Sequence, residues 1–166
     1  AEAKDAGLAL ALGRLALATF SLLLALGACT DRGAAREPWF EDWSGDHGLS
    51  FSHRSGFDGA RRFMPEIMGG GGALFDMDGD GDLDAYLVQS GDVRLPPEQQ
   101  PPKQLFRNEG DGRFTDVTAG SGAEAPGYGQ GVAAGDYDND GDVDLYVTNV
   151  GPDRLLRNEG GGRFTD

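Results

Sequence analysis

The chain has 166 residues, a length suited to one domain, and carries 28 Asp and Glu against 14 Lys and Arg for a formal net charge of −14. That balance excludes a nucleic-acid binder that works by neutralising phosphates, and a single cysteine, Cys29, excludes an intrachain disulfide framework. Glycine supplies 28 residues without a collagen period, well above the roughly 7% of ordinary domains, and its clustering at turns predicts many short strands.

The chain opens on an address. From Leu15 to Ala28 runs an uncharged apolar stretch, LALATFSLLLALGA, preceded by Arg14. It is shorter than the ~20 residues a membrane-spanning helix needs, so residues 1–28 read as a helical secretory signal segment. Leu26-Gly27-Ala28-Cys29 resembles a bacterial lipobox. The resemblance implies cleavage before Cys29, lipidation of its thiol, and an exported protein held on a membrane through that residue. Thr30, rather than Asp, after the cysteine implies the outer membrane or cell surface. The first residues, AEAKDAG, lack Met and place Glu2 and Asp5 where positive charge is expected, so the true start is expected to lie elsewhere.

Residues 29–38 are small and polar and read as a tether, with the folded part starting near Trp39. Glu2 and Asp5 cancel Lys4 and Arg14, so the whole −14 falls on the 138 residues after the signal (166 − 28).

Two acidic stretches organise those residues. The first is Asp76-Met77-Asp78-Gly79-Asp80-Gly81-Asp82-Leu83-Asp84 and the second is Asp136-Tyr137-Asp138-Asn139-Asp140-Gly141-Asp142-Val143-Asp144. Five carboxylates at alternate positions repel one another, and a tight loop that gathers them needs a cation. Calcium fits, because it takes six to eight oxygens from carboxylates and carbonyls. The expected ligands are Asp76, Asp78, Asp80, the carbonyl of Asp82, and Asp84, and in the copy Asp136, Asp138, Asp140, the carbonyl of Asp142, and Asp144. Two Ca2+ ions would bring the charge from −14 to −10. An EF-hand would require Glu at position 12 and flanking helices. Leu87 and Val147 stand there instead, inside runs with strand character.

The loops belong to a repeat. GGGGALFDMDGDGDLDAYLVQSG continues after RLPPEQQPPK as QLFRNEGDGRFTDVT, and GQGVAAGDYDNDGDVDLYVTNVG continues as DRLLRNEGGGRFTD. Asp76 and Asp136 are 60 residues apart but Asn108 and Asn158 only 50, the difference being a Pro-rich insertion between Val93 and Lys103. Each unit predicts four strands: Ala73–Phe75, Leu83–Val88, Gln104–Asn108 and Arg113–Thr118 in the first, and Val132–Ala134, Val143–Thr148, Arg154–Asn158 and Arg163–Asp166 in the second. Four antiparallel strands in ~50 residues is the size of a propeller blade. Phe40-Glu41-Asp42 matches Phe114-Thr115-Asp116 and Phe164-Thr165-Asp166 as a partial third copy. The expected fold is all-β, an incomplete β-propeller of about two blades plus an N-terminal strand. Residues 39–68 form the N-terminal strand region, 69–122 the first repeat and 127–166 a truncated second. The chain is expected to be a fragment of a longer protein, since repeat units need about three neighbours to bury a continuous core.

Both units resemble FG-GAP (VCBS-type) repeats of the kind found in integrin α-chain propellers. GGGGALFDMDGDGDLDAYLVQSG with LFRNEGDGRFTDVT is most similar to the ASPIC/UnbV group related to cartilage acidic protein. The resemblance implies a calcium-stabilised propeller, commonly of seven blades, on a secreted or surface-attached protein.

Two functions follow. The first is a calcium-binding, lipid-anchored module that binds protein or glycan and serves adhesion. The second is part of an extracellular lyase or hydrolase on a calcium-bearing propeller. A lyase or hydrolase needs a base or carboxylate pair outside the metal loops, and no such motif is visible. His47 and His53 read as structural or surface residues, and Trp39, Trp43, Phe51 and Phe57 as core or edge cover rather than a sugar platform.

Overall fold

The computed structural model describes residues 39, 40, 42, 44–60 and 62–166. The signal segment, the tether and Cys29 lie outside the described residues. Residues 42–166 form a compact unit by their internal contacts.

Eight strands build that unit. β1 (Gly72–Phe75), β2 (Asp84–Leu87), β3 (Gln104–Asn108) and β4 (Phe114–Asp116) form one four-stranded sheet in the order β1-β2-β3-β4. β5 (Tyr128–Gly135), β6 (Asp144–Val150), β7 (Arg154–Asn158) and β8 (Phe164–Thr165) form a second sheet with the same order. All pairings are antiparallel between neighbours in sequence. The result is an all-β domain of two meander sheets, a partial propeller-like arrangement. Regular helix is limited, among the described residues, to α1 (Met64–Met68) and a single 3-10 turn at Pro97–Gln99.

Alternation explains which face of each sheet is covered. Phe75, Met77, Tyr86, Val88 and Leu105 of the first sheet pack with Leu145, Val147, Leu156 and Phe164 of the second in a single apolar cluster. The rings of Phe75 and Phe164 meet edge to face at 6.4 Å. Tyr86 is wholly buried and donates its hydroxyl to the Ala123 carbonyl at 2.8 Å, which removes the penalty of burying an unpaired phenol.

β5 begins four residues earlier than the apolar pattern predicts. Tyr128-Gly129-Gln130-Gly131 looks like turn sequence, yet it pairs with β6 through a bulge between Gly129 and Gly131. Sheet contact explains it: a Cβ on Gly129 would lie 2.3 Å from Val88 Cγ1, so this strand can lie against the first sheet only without a side chain. Gly71 meets Gly131 in the same way, a Cβ there falling 2.9 Å from the Gly131 Cα.

Residues 44–60, a turn over 44–48 followed by irregular chain, run as a strap over the first sheet. His47 carbonyl accepts from Phe114 N, Gln89 Nε2 donates to Ser52 O, Gly91 N donates to Arg54 O, and Tyr128 hydroxyl donates to Ser55 O. The strap repeats further along: Phe114 N donates to His47 O and Phe164 N to Ser121 O, both at 2.7 Å. Gly48 and Gly122 sit beside those bonds at φ +86 and +81. The offset of 74 residues (121 − 47) is that between Phe40-Glu41-Asp42 and Phe114-Thr115-Asp116 (114 − 40), which extends the partial third copy into the strap.

The Pro-rich insertion is fastened rather than loose. Gln100, buried, donates through Nε2 to the carbonyls of Asp92 and Leu95 and accepts from Asp92 N. Arg94 pairs with Asp92 and, at 2.7 Å, with Asp58 of the strap. Lys103 ends the insertion fully buried, its Nζ donating to the carbonyls of Ala125 at 2.6 Å and Gly127 at 2.8 Å.

Candidate metal centres

Each acidic stretch forms the loop between the first and second strands of its sheet. The residues that fold it are the acidic ones themselves. In the first loop Asp76 accepts from Gly79 N at 2.8 Å and Gly81 N at 2.9 Å, while Asp80 accepts from Asp82 N. In the second, Asp136 accepts from Asp140 N and Gly141 N, and Asp140 from Asp142 N. The sharp reversals take positive φ at Gly79 and Gly81, and at Asn139 and Gly141. Asn is the side chain best suited to replace glycine there.

The closing aspartates carry the largest structural load. Asp84 is buried; its Oδ2 accepts from Met77 N and its Oδ1 from Asn108 N, both at 2.8 Å, so one carboxylate ties the loop to β3. Asp144 repeats this with Tyr137 N at 2.9 Å and Asn158 N at 2.8 Å.

These bonds bring Asp76, Asp78 and Asp84 together with one carboxylate oxygen each inside 4.8 Å, and Asp136, Asp138 and Asp144 likewise. Asp80, Asp82, Asp140 and Asp142 stand outside those two groups of three. Asp80 and Asp140 each give an oxygen to the loop backbone, as Asp76 and Asp136 do within the clusters.

The clusters show the strain of gathered negative charge. Burial raises the Asp84 carboxyl above its ordinary pKa, the N–H groups of Met77 and Asn108 pull it back, and the charges of Asp78 and Asp80 push it further up. Asp138 is raised by desolvation and by Asp140 and Asp144, with Arg157 opposing. Asp78 Oδ1 is buried without a hydrogen-bond partner. An orphaned anionic oxygen beside two further carboxylates fits a hard divalent cation, which accepts oxygens from several directions at once.

At the opposite end of the sheets, where β2 joins β3, the strap and the insertion border two clefts. One of about 600 Å3 is lined by Arg54, Gln89, Pro101, Pro102, Asp116 and Glu124 among others. A second of about 380 Å3 lies across Arg54 and Pro101 from it, against Asp92, Leu95 and Gln100. Arg54 forms no ion pair among the described residues, unlike Arg94, Arg107, Arg113, Arg154 and Arg157. Sequence reasoning passed over Arg54, Gln89 and Gln100, since no motif marks a lone cation between Gly-Ser and Pro-rich stretches.

The histidines take structural places. His47 Nδ1 lies 2.7 Å from Gly112 O. His53 Nε2 is 2.9 Å from Ser90 Oγ, but that buried hydroxyl spends its only proton on Gly129 O at 2.7 Å, so it accepts from the imidazole and is not an activated nucleophile. Arg107 and Arg157 pair with Glu109 and Glu159, the acidic neighbours two residues on. Phe57 carries the Arg62 guanidinium 3.9 Å from its ring centre, a cation–π contact rather than an open platform.

Residues 76–147 match the family model described as FG-GAP-like repeat. The matched stretch runs from the first acidic loop into β6 and so takes in both clusters. The chain therefore carries an FG-GAP-like repeat within an all-β, partial propeller-like domain. No curated protein matches the chain.

Proposed function

We propose that this protein is a calcium-binding β-propeller module of the ASPIC/UnbV-like type that binds a protein or glycan outside the cytoplasm, attached to a membrane by lipid at Cys29. The observation that supports the metal is the orphaned Asp78 Oδ1 in a cluster whose loop folds the same way in both repeats. Asp76, Asp78 and Asp84 would hold one Ca2+ and Asp136, Asp138 and Asp144 the other, with Asp80, Asp140 and the carbonyls of Asp82 and Asp142 as further ligands. The ion's work is structural: it neutralises carboxylates that otherwise repel across the strand pair.

Ligand contact is assigned to the other end of the sheets, around Arg54 and the insertion, where clefts and an uncompensated cation coincide. The apolar run ending at Cys29 supports the anchor by its resemblance to a lipobox.

Calcium titration by calorimetry tests the metal. Two sites are expected in the wild type and none in Asp78→Ala combined with Asp138→Ala; equal heats in both proteins would remove the assignment. Probing glycan and peptide arrays with wild type and Arg54→Glu tests the cleft, and binding unchanged by the substitution would place the ligand elsewhere. Palmitate labelling of wild type against Cys29→Ser tests the anchor.

A further inference from the structure

The two acidic clusters are joined through Asn158. Met77 stands between Asp76 and Asp78, so its two peptide groups lead to both of them, and its N–H holds the third member of the first cluster, Asp84, at 2.8 Å. The Met77 carbonyl, in the peptide plane that leads into Asp78, accepts from Asn158 Nδ2 at 2.8 Å and from Gly162 N at 3.1 Å. Asn158 in turn donates its backbone N–H to Asp144 Oδ1 of the second cluster at 2.8 Å. A continuous run of hydrogen bonds thus leads from Asp144 through Asn158 and Met77 to Asp84, and all four residues are buried.

The Asn158 side chain has one orientation open to it in that run. Its Nδ2 donates to Met77 O and, at 3.2 Å, to Val143 O, while its Oδ1 accepts from Gly160 N at 3.0 Å. The reversed amide would set an oxygen against two carbonyls, so the network fixes which way it points. Aspartate has the same shape but no donor, and leucine has neither donor nor acceptor. Asn108, at the same place in the first repeat, donates through Nδ2 to Leu83 O, within its own repeat.

We propose that Asn158 is a positioning residue shared by the two calcium centres, so that filling either one favours filling the other. The inference rests on the calcium reading given above. With the second centre filled, Asp144 is fixed in place, and with it the Asn158 N–H that it holds. The rigid amide then holds the Met77 carbonyl, and through Met77 the peptides that lead to Asp76 and Asp78 and the N–H bound to Asp84. The first cluster is ordered before it is filled, so less chain freedom is lost when calcium binds there. Coupling of this kind is reciprocal, so Asp84 and Met77 order Asn158 and Asp144 when the first centre is filled instead. Calcium is therefore taken up over a narrower range of concentration than by two independent loops, and the two sheets are ordered in one step.

Calorimetric calcium titration of the full chain tests it. Wild type is expected to bind two ions with positive cooperativity. Asp138→Ala, which keeps the first centre alone, is expected to bind there about tenfold more weakly than the wild type whose second centre is filled. That loss should vanish when Asn158→Ala is already present and persist when Asn108→Ala is. Two equal and independent sites in the wild type overturn the proposal while leaving the calcium reading intact, as does an Asp138→Ala protein with unchanged affinity at the first centre. A loss in Asp138→Ala that is just as large alongside Asn158→Ala is charge acting at a distance and overturns it too. A wild type that binds no calcium overturns both readings together. Should Asn158→Ala fail to fold by circular dichroism, the amide resonance of Met77 in Asp78→Ala decides: calcium at the second centre is expected to shift it, and an unmoved resonance overturns the proposal.

Discussion

Asn158 of the second repeat donates through Nδ2 to the Met77 carbonyl of the first at 2.8 Å. The carbonyl belongs to the first acidic loop and the amide to the last residue of β7, so one repeat's acidic loop is tied to the end of the next repeat's third strand.

Replacing that amide should therefore be costly in one repeat and mild in the other. Asn158→Ala removes a buried amide that donates to the carbonyls of Met77 and Val143 and is expected to destabilise by about 2–3 kcal/mol, against about 1 kcal/mol or less for Asn108→Ala. Denaturant unfolding of the two variants in calcium checks this; equal losses would mean that the inter-sheet bond contributes nothing measurable.

The division of labour within each loop can be tested by neutralising one carboxylate at a time. Asp78→Asn and Asp138→Asn should abolish calcium binding at their own sites. Asp82→Asn and Asp142→Asn should leave it close to wild type, because their side chains lie outside the clusters. Calorimetric titration of the four proteins decides, and tight binding in Asp78→Asn would exclude its oxygen as a ligand.

Gly129 lies where the sheets come closest. Gly129→Ala would force a methyl to 2.3 Å from Val88 Cγ1 and 2.7 Å from the Gln89 carbonyl, and is expected to cost about 2–3 kcal/mol. At Gly135 a Cβ would meet nothing within 4 Å, so Gly135→Ala should be close to neutral. Melting temperatures of the pair measure the difference.

Lys103 makes stability depend on pH. Burial, with a further push from Arg154, lowers its pKa from 10.5 to about 8. Between those values the unfolded chain binds more protons than the folded one, so this residue makes stability rise with pH from about 8 upward, by at most about 3 kcal/mol over the window. Neutral amine still has two protons for the carbonyls of Ala125 and Gly127. Buried Tyr86, whose pKa is raised by desolvation, acts in the other sense above about pH 10, so the comparison belongs between pH 7.5 and 9.5. Urea unfolding should show the rise in wild type and lose it in Lys103→Met; a flat wild-type profile would show that the ammonium is not penalised.

The strands and both acidic loops were readable because their signals are local. Gln104–Asn108 and Arg154–Asn158 are strands at the residues the pattern predicts, since apolar alternation and the Asn-Glu-Gly turn mark both ends. The start of β5 was not, because Gly129 is required by Val88 of another sheet and looks locally like a turn. Within the acidic loops, spacing identifies the five aspartates but does not show that Asp76, Asp80, Asp136 and Asp140 also fold the loop by accepting from its own backbone. Arg54 and Lys103 escaped for a related reason: an unpaired cation over a cleft and a buried one under two carbonyls have the same composition as any surface residue.

The insertion between β2 and β3 leaves the pairing of those strands in step with that of β6 and β7, whose connection is shorter, and its own side chains tie it down. The acidic loops lie at the other end of the strands. Variation in the insertion is thus insulated from the scaffold, and a descendant of this chain could acquire a new binding preference there without renegotiating how its repeats fold.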